Sequence, residues 1–238
     1  MAVRRFLVTG AGRSGTGYIA SVLTALGCLT GHEDIFGPAK LRDAEEILWP
    51  PEVPGDSSWL GAPYLDALPK GTIVLHQVRE PVANVRSSLR IRFFKTPSWY
   101  RSFAEQHAPA LLAGSEPERC LCYWLEWNRM AERARTMPEL EYFRYRLEDI
   151  DPEIVGEICL RIGLSATPAR IAEVLAQLPR DINTRGDKSQ DGDWRWSELP
   201  PGETKRAAEK LAAGYGYGAE TEGGTLAVLP RQRLRATH

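Results

Sequence analysis

A glycine-rich loop near the start of the chain carries the clearest potential for chemistry. It follows a short apolar run, residues 6–8, and precedes apolar residues at helical spacing. The loop reads Gly10-Ala11-Gly12-Arg13-Ser14-Gly15-Thr16-Gly17. The backbone N–H groups of such a loop, together with the positive end of the following helix, form a binding site for an anion. We therefore expect an anion to bind at residues 10–17.

Two common nucleotide-binding patterns fit this loop to different extents. The triphosphate pattern G-x-x-x-x-G-K-[ST] is matched through Gly15 and then fails, because Thr16 replaces the lysine and Gly17 removes the hydroxyl that would hold Mg²⁺. The dinucleotide pattern G-x-G-x-x-G is matched in full, and Glu33 lies near the position of a ribose-binding acid. An NAD(P)-dependent oxidoreductase therefore remains an alternative.

A second cluster follows the most apolar strand candidate, residues 72–75. Arg79 lies at the end of that strand, Pro81 suits the first turn of a helix, and Ser87 follows. An arginine and a hydroxyl in this arrangement can both reach one phosphate. On a helix Ser88 points about 100° away from Ser87, so Ser87 is the expected ligand.

The two clusters together resemble the signatures of the sulfotransferase superfamily, especially its bacterial members, which use 3′-phosphoadenosine-5′-phosphosulfate (PAPS). The resemblance implies that Arg79 and Ser87 bind the 3′-phosphate and that Arg13 stabilises charge on the leaving phosphate. It also implies that the reaction needs no metal. The implied loop ligands of the 5′-phosphosulfate are Gly12, Arg13, Ser14, Gly15, Thr16 and Gly17.

Later segments extend this resemblance from residue 6 to about residue 217. Residues 144–150 resemble the R-Y-E-D-L segment of the family, with Arg-Leu inserted between Tyr and Glu, and residues 193–217 resemble its C-terminal region. In the family a basic loop corresponding to residues 183–195 closes over the 3′-phosphate and adenine. Lys188 and Arg195 are candidate ligands there, although a charge run is also typical of a solvated face.

An acceptor hydroxyl must lose its proton during transfer, so a base is expected near the loop. His32 and Glu33 follow the second strand candidate, residues 28–30, and the carboxyl ends of parallel strands share one edge of the sheet. Some bacterial sulfotransferases place a glutamate at this position, which favours Glu33 as the base with His32 second. His76 is expected to be a buried core residue. The remaining alternative is that His32 and Glu33 are solvated loop residues without a catalytic role, as in a non-catalytic nucleotide-binding protein.

The order of elements predicts an α/β fold, a parallel sheet with helices on both faces, and the resemblance makes it the P-loop-like sulfotransferase fold. Residues 1–222 are expected to form one domain, and residues 223–238 an exposed tail. Residues 34–70 read as irregular, and residues 92–114 as a partly helical flap. Aromatic residues in these segments suit a small-molecule, carbohydrate or lipid acceptor; they are Trp49, Trp59, Phe93, Phe94, Trp99 and Tyr100.

Composition and net charge limit the classes of partner and the cellular location that we expect for the chain. The net charge of −1 disfavours binding of long nucleic acids. The four cysteines show no metal-binding spacing, which predicts reduced thiols. No apolar run has the length of a membrane span or of a secretory signal, so a cytoplasmic enzyme is expected. The oligomeric state stays open.

Overall fold

A parallel sheet of five strands forms the framework of the molecule, with strand order β2-β3-β1-β4-β5. The computed structural model describes residues 3–42, 47–179 and 194–230. The sheet strands are β1 (Phe6–Thr9), β2 (Thr30–His32), β3 (Gly55–Ser57), β4 (Ile73–Val78) and β5 (Glu141–Arg146). The predicted α/β fold with a parallel sheet is thereby confirmed.

Helices connect the strands and cover both faces of the sheet. Within the described ranges they are α1 (Thr16–Ala25), α2 (Pro38–Leu41), α3 (Pro81–Arg90), α4 (Trp99–His107), α5 (Glu116–Glu132), α6 (Pro152–Ile162), α7 (Pro168–Gln177) and α8 (Glu203–Gly214). A kinked 3-10 segment, Trp59–Ala67, follows β3. Several helices begin at a proline, which fits the first turn because its missing N–H would be unpaired there anyway.

Each central strand sends alternate side chains into two hydrophobic cores. On β1, Phe6 and Val8 pack with α1, α6 and α7, whereas Leu7 packs on the opposite face with α3, α5 and Trp59. On β4, Leu75 packs in the same core as Phe6 and Val8, and Val74 packs in the same core as Leu7. Successive residues of a strand face opposite sides of the sheet, and here both sides are buried. The sequence of these strands is therefore almost continuously apolar.

The segment of residues 34–70, expected to be irregular, contains strand β3. Its three residues Gly55, Asp56 and Ser57 are all buried and mostly polar, so they carry no apolar strand pattern. β3 pairs with β1 on one side and with β2 on the other. In the dinucleotide-binding fold the second strand lies directly beside the first. The intervening β3 therefore distinguishes this sheet from that fold.

The C-terminal segment also differs from its expectation. Tyr217–Glu220 (β6) and Leu226–Val228 (β7) form a two-stranded antiparallel sheet. The side chain of Leu226 is 5% exposed, and its N–H donates to the carboxylate of Glu80 at the start of α3. An exposed tail beginning at residue 223 is therefore wrong for residues 224–227, which are buried or half-buried, whereas residues 223 and 228–230 are exposed. Residues 231–238 lie outside the described residues.

This packing predicts different costs for two neighbouring truncations. Leu226→Ala should lower the free energy of unfolding by about 2 kcal/mol or more, because it removes buried apolar atoms. Val228→Ala is the matched control: Val228 is 42% exposed, and its loss should cost about 0.5 kcal/mol or less. Denaturant unfolding of both variants measures the difference. Equal, small losses would mean that the segment behaves as a tail.

Candidate functional site

A cavity of about 620 Å³ opens at the carboxyl edge of the sheet. It brings together the glycine loop, the end of β2, the end of β4 and α3. Of the candidate catalytic and cofactor-binding residues, those that line it are Gly12, Arg13, Gly15, Thr16, Gly17, His32, Glu33, Arg79 and Ser87. Ligands of parallel α/β sheets bind at this edge, outside the carboxyl ends of the strands.

Side chains from β4 and α3 hold the loop by its carbonyl oxygens. Asn84 Nδ2 donates to the carbonyl of Gly12 at 2.8 Å, and Arg79 Nη1 donates to that of Arg13 at 2.8 Å. Gln77 Nε2 donates to the carbonyl of Ser14. Three consecutive carbonyl groups are thus occupied by protein donors. The loop cannot rotate these peptides without breaking buried hydrogen bonds.

The N–H groups at the start of α1 remain available to a ligand. Gly15 is the N-cap, in the left-handed region with φ 87°, and no side chain caps the helix. The N–H groups of Gly15, Thr16 and Gly17 have no acceptor among the described residues. Unpaired N–H groups at a helix N-terminus carry partial positive charge. This part of the loop is therefore suited to an anion.

Two loop residues expected to bind the ligand, Gly12 and Ser14, make hydrogen bonds within the protein. The N–H of Gly12 donates to the hydroxyl of Tyr123 at 2.9 Å, so it is not offered to a ligand. Ser14 is fully buried and does not line the cavity. Its Oγ instead accepts a hydrogen bond from Asn84 Nδ2 at 3.2 Å. Both residues therefore fix the loop through hydrogen bonds within the protein, and of the two only Gly12 also lines the cavity.

Arg13, Arg79 and Ser87 meet on the other side of the loop. Arg13 Nε donates to Ser87 Oγ at 3.0 Å. Burial lowers the pKa of Arg79, and the nearby carboxylates of Glu148 and Glu80 oppose that effect. Since an arginine stays protonated throughout the physiological range, Arg79 presents a fixed, half-buried positive charge. Ser88 lies in the buried face of α3, as its helical position predicts.

Arg90 is a cavity residue that the sequence patterns did not indicate. It lies three positions after Ser87 on α3, and both line the cavity. Residues three apart share a helix face. The charge of Arg90 lowers the pKa of Arg79. The i, i+3 spacing from Ser87 was the signal that could have identified it.

Glu33 reaches the cavity from β2 because β3 fixes its loop. The buried carboxylate of Asp56 on β3 accepts the N–H groups of Asp34, Ile35 and Phe36 at 3.2, 3.2 and 2.9 Å. Glu33 itself has φ 62°, in the left-handed region that glutamate rarely adopts. Of the three non-glycine residues with positive φ in the described ranges, two are Arg13 and Glu33. Such outliers occur frequently at functional sites.

The surroundings of Glu33 raise its pKa above the ordinary value. Burial is the main cause, and the charge of Asp56 adds to it. His32 opposes the increase, as do hydrogen bonds from Tyr100 and Trp59 to the carboxylate. The hydroxyl of Tyr100 on α4 donates to Glu33 Oε2 at 3.1 Å. A carboxylate with a raised pKa and retained donors is suited to accept a proton.

The four histidines of the sequence differ in their access to the cavity. His32 is exposed, lines the cavity, and has its Nε2 3.5 Å from Thr16 Oγ1. His76 is buried between Tyr142 and Asn128, and burial lowers its pKa to about 3, which confirms the core position expected for it. His107 lies at the end of α4 and is not a lining residue. His238 is outside the described residues.

Of the two basic candidates of residues 183–195, only Arg195 lies in the described part of the chain, and it does not line the cavity. Lys188 lies outside the described residues. Arg195 is exposed, its Nη1 donates to the carbonyl of Glu222 at 2.8 Å, and it lines neither described cavity. Its side chain packs on Gly224, next to β7. Arg195 therefore supports the C-terminal sheet in this structure.

Aromatic side chains form one wall of the cavity. Of the six candidates, Trp59, Phe93 and Tyr100 line it. The ring of Trp59 lies 6.1 Å from the rings of both Phe93 and Tyr100. The others, Trp49, Phe94 and Trp99, do not line the cavity. Three of the six candidates therefore face the cavity, whereas Trp49, Phe94 and Trp99 belong to or pack against the hydrophobic core on that side of the sheet.

A second cavity of about 370 Å³ adjoins the first and shares Tyr18, Arg79 and Leu147 with it.

Within the described ranges, no group of three or more His, Cys, Asp or Glu residues could hold a metal ion. The four cysteines are free and buried. In the part of the chain that the structure describes, no helix combines the length and apolar character needed to cross a membrane.

Comparison with known proteins identifies a similar fold. No protein-family model matches the sequence, and no curated protein matches it. A solved structure, the "Sulfotransferase Domain from the Curacin Biosynthetic Pathway", is similar with a TM-score of 0.56 and 14% sequence identity. The similarity covers 91% of this chain and 99% of that chain. At this identity the likeness concerns the fold, and the chain has a sulfotransferase-like α/β fold.

Proposed function

We propose that this chain is a sulfotransferase that moves a sulfuryl group from PAPS to a hydroxyl or amine of a small acceptor. One observation carries the proposal: unpaired loop amides and the Arg79–Ser87 pair face one cavity from the adjacent strands β1 and β4. A ligand with two separate anionic groups suits this arrangement. The loop has neither the lysine nor the Mg²⁺-binding hydroxyl that a triphosphate requires.

In this proposal the two anionic ends of PAPS bind to different donors. The 5′-phosphosulfate accepts hydrogen bonds from the N–H groups of Gly15, Thr16 and Gly17. The 3′-phosphate is bound by Arg79 and Ser87 through charge-assisted hydrogen bonds. The nucleoside extends toward the second cavity along Tyr18, a residue common to both cavities. The strand order disfavours NAD(P) as the ligand, because β3 separates β2 from β1.

The reaction then needs one proton transfer and one sulfuryl transfer. Glu33 removes the proton of the acceptor hydroxyl, and the acceptor oxygen forms a bond to sulfur. The bond between sulfur and the bridging phosphate oxygen breaks, and its electron pair stays on that oxygen. Arg13 lies at the loop and stabilises the resulting negative charge. His32, which lines the same cavity, is the second candidate for the base.

The acceptor is proposed to be a small molecule, carbohydrate or lipid that contacts Trp59, Phe93 and Tyr100. Aromatic faces bind all three classes, so the wall itself does not select among them. We also propose that the enzyme works in the cytoplasm, where thiols stay reduced. The four free, buried cysteines support this placement.

Binding of adenosine 3′,5′-bisphosphate, the desulfated product, tests the nucleotide assignment. Calorimetric titration without Mg²⁺ should show binding, and AMP and NAD should bind much more weakly because they lack the 3′-phosphate. Arg79→Ala should weaken binding by about 1.5–3 kcal/mol, the value of a hydrogen bond to a charged group. The control is Arg129→Ala, an exposed arginine of α5 paired with Glu126, which should bind like the wild type.

Equal affinity for AMP and the bisphosphate would contradict the proposal, because the 3′-phosphate would then go unrecognised. Normal binding by Arg79→Ala would remove Arg79 from the site. If NAD bound more tightly than the bisphosphate, the oxidoreductase alternative would replace the sulfotransferase.

Replacing the base should abolish transfer without disturbing the nucleotide. Glu33→Gln keeps the side-chain shape and removes the proton acceptor, so the rate should fall by about 10²–10⁴-fold, while affinity for adenosine 3′,5′-bisphosphate stays unchanged. The assay follows release of the bisphosphate from PAPS with a panel of phenols, sugars and alcohols, and with water when none reacts. A near-normal rate in Glu33→Gln beside an inactive His32→Ala would transfer the role to His32.

The pH dependence of the rate should follow the carboxyl of Glu33. The base must be ionised, so the rate falls as pH falls through its pKa, which burial places above the ordinary value. Tyr100→Phe removes a donor that favours the charged form. This variant should therefore lose activity at a higher pH than the wild type, with the plateau rate at high pH retained. An unchanged acidic limb would show that Glu33 does not control it.

A further inference from the structure

Among the described residues, the hydroxyl hydrogen of Tyr123 has no acceptor. Tyr123 lies in α5, is 1% exposed, and lines the large cavity. Its oxygen accepts the N–H of Gly12 at 2.9 Å. A tyrosine hydroxyl also has one hydrogen to donate. Within residues 3–42, 47–179 and 194–230 no group accepts that hydrogen, although buried polar groups are normally paired.

The packing of the ring fixes where this hydroxyl lies. The ring of Tyr123 stacks on Phe93 at 5.2 Å between ring centres. It contacts Trp59 edge-on at 5.6 Å and Trp127 at 4.7 Å. Residue 12 must be glycine for the close approach, because a Cβ there would collide with the hydroxyl oxygen. The hydroxyl is therefore held against the loop by rigid aromatic neighbours.

The electrostatic surroundings identify the region that the hydroxyl faces. Glu33 and Arg13 both act on the phenol through their charges, so Tyr123 lies near the proposed base and near the cation at the leaving group. Burial raises the pKa of Tyr123 well above its usual value. The phenol consequently stays neutral at physiological pH and acts as a donor.

We propose that Tyr123 is a further catalytic residue, whose hydroxyl donates a hydrogen bond to an oxygen of the transferring sulfuryl group. The proposal rests on the proposed function. Tyr123 transfers no proton; the proton of the acceptor still goes to Glu33. The hydrogen bond holds the sulfuryl group in line between the acceptor oxygen and the bridging oxygen. A preorganised donor at a reacting group accelerates transfer because it needs no reorganisation during the reaction.

Tyr123→Phe tests this role because it removes the hydroxyl and keeps the ring. The rate of bisphosphate release from PAPS, measured with the acceptor panel and with water, should fall by about 10²–10³-fold, the usual cost of removing one preorganised donor. Affinity for PAPS should fall, whereas affinity for adenosine 3′,5′-bisphosphate, which has no sulfuryl group, should stay unchanged. The matched control is Tyr142→Phe, which also loses a hydrogen-bonded hydroxyl, in this case one bonded to His76 outside the cavity. That variant should keep both affinities and the rate.

The affinities separate the catalytic role from a structural one. If the hydroxyl only holds Gly12, Tyr123→Phe should weaken binding of PAPS and of the bisphosphate equally. That result would overturn the proposal, and so would an unchanged rate. If Tyr123→Phe does not fold, 3-fluorotyrosine at position 123 provides the second variant. Its more acidic phenol is a stronger donor and a weaker acceptor, so the rate should hold or rise; a fall would overturn the proposal. A wild type that binds no bisphosphate would instead refute the proposed function.

Discussion

Three consecutive carbonyl groups of the glycine loop are held from behind, and the rest of the site depends on this constraint. Asn84, Arg79 and Gln77 donate to the carbonyl groups of residues 12, 13 and 14. Once these peptides are fixed, the N–H groups of Gly15, Thr16 and Gly17 at the start of α1 have no acceptor among the described residues. The proposed anion site therefore depends on hydrogen bonds from β4, α3 and Arg79 between them, not on the loop sequence alone.

The strand order determines how Glu33, the proposed base, can reach that site. β3 separates β2 from β1, so Glu33 has to extend across the end of β3. Asp56 makes this possible by accepting three N–H groups of the segment that follows Glu33. Burial of Glu33 is the main cause of its raised pKa, and the charge of Asp56 adds to that increase. The same strand thus positions the carboxylate and adjusts its basicity, at the cost of a left-handed backbone at Glu33.

The sequence predicted those parts of the molecule whose signals are local. The apolar runs of β1 and β4, the glycine loop and the spacing from Arg79 to Ser87 are all short-range patterns. β3 could not be recognised, because its buried residues are glycine, aspartate and serine and their stability comes from neighbours on both sides. Tyr123 was missed for a related reason: it meets Gly12 across 111 residues of sequence. Neither contact leaves a local periodicity.

A crystal structure with adenosine 3′,5′-bisphosphate tests the central claim most directly, since it locates both phosphates at once. The proposed function requires the 5′-phosphate on the N–H groups of Gly15, Thr16 and Gly17. It requires the 3′-phosphate within hydrogen-bonding distance of Arg79 and Ser87, with no metal ion between them. A 5′-phosphate elsewhere, or a 3′-phosphate that leaves Arg79 and Ser87 without contact, would contradict it.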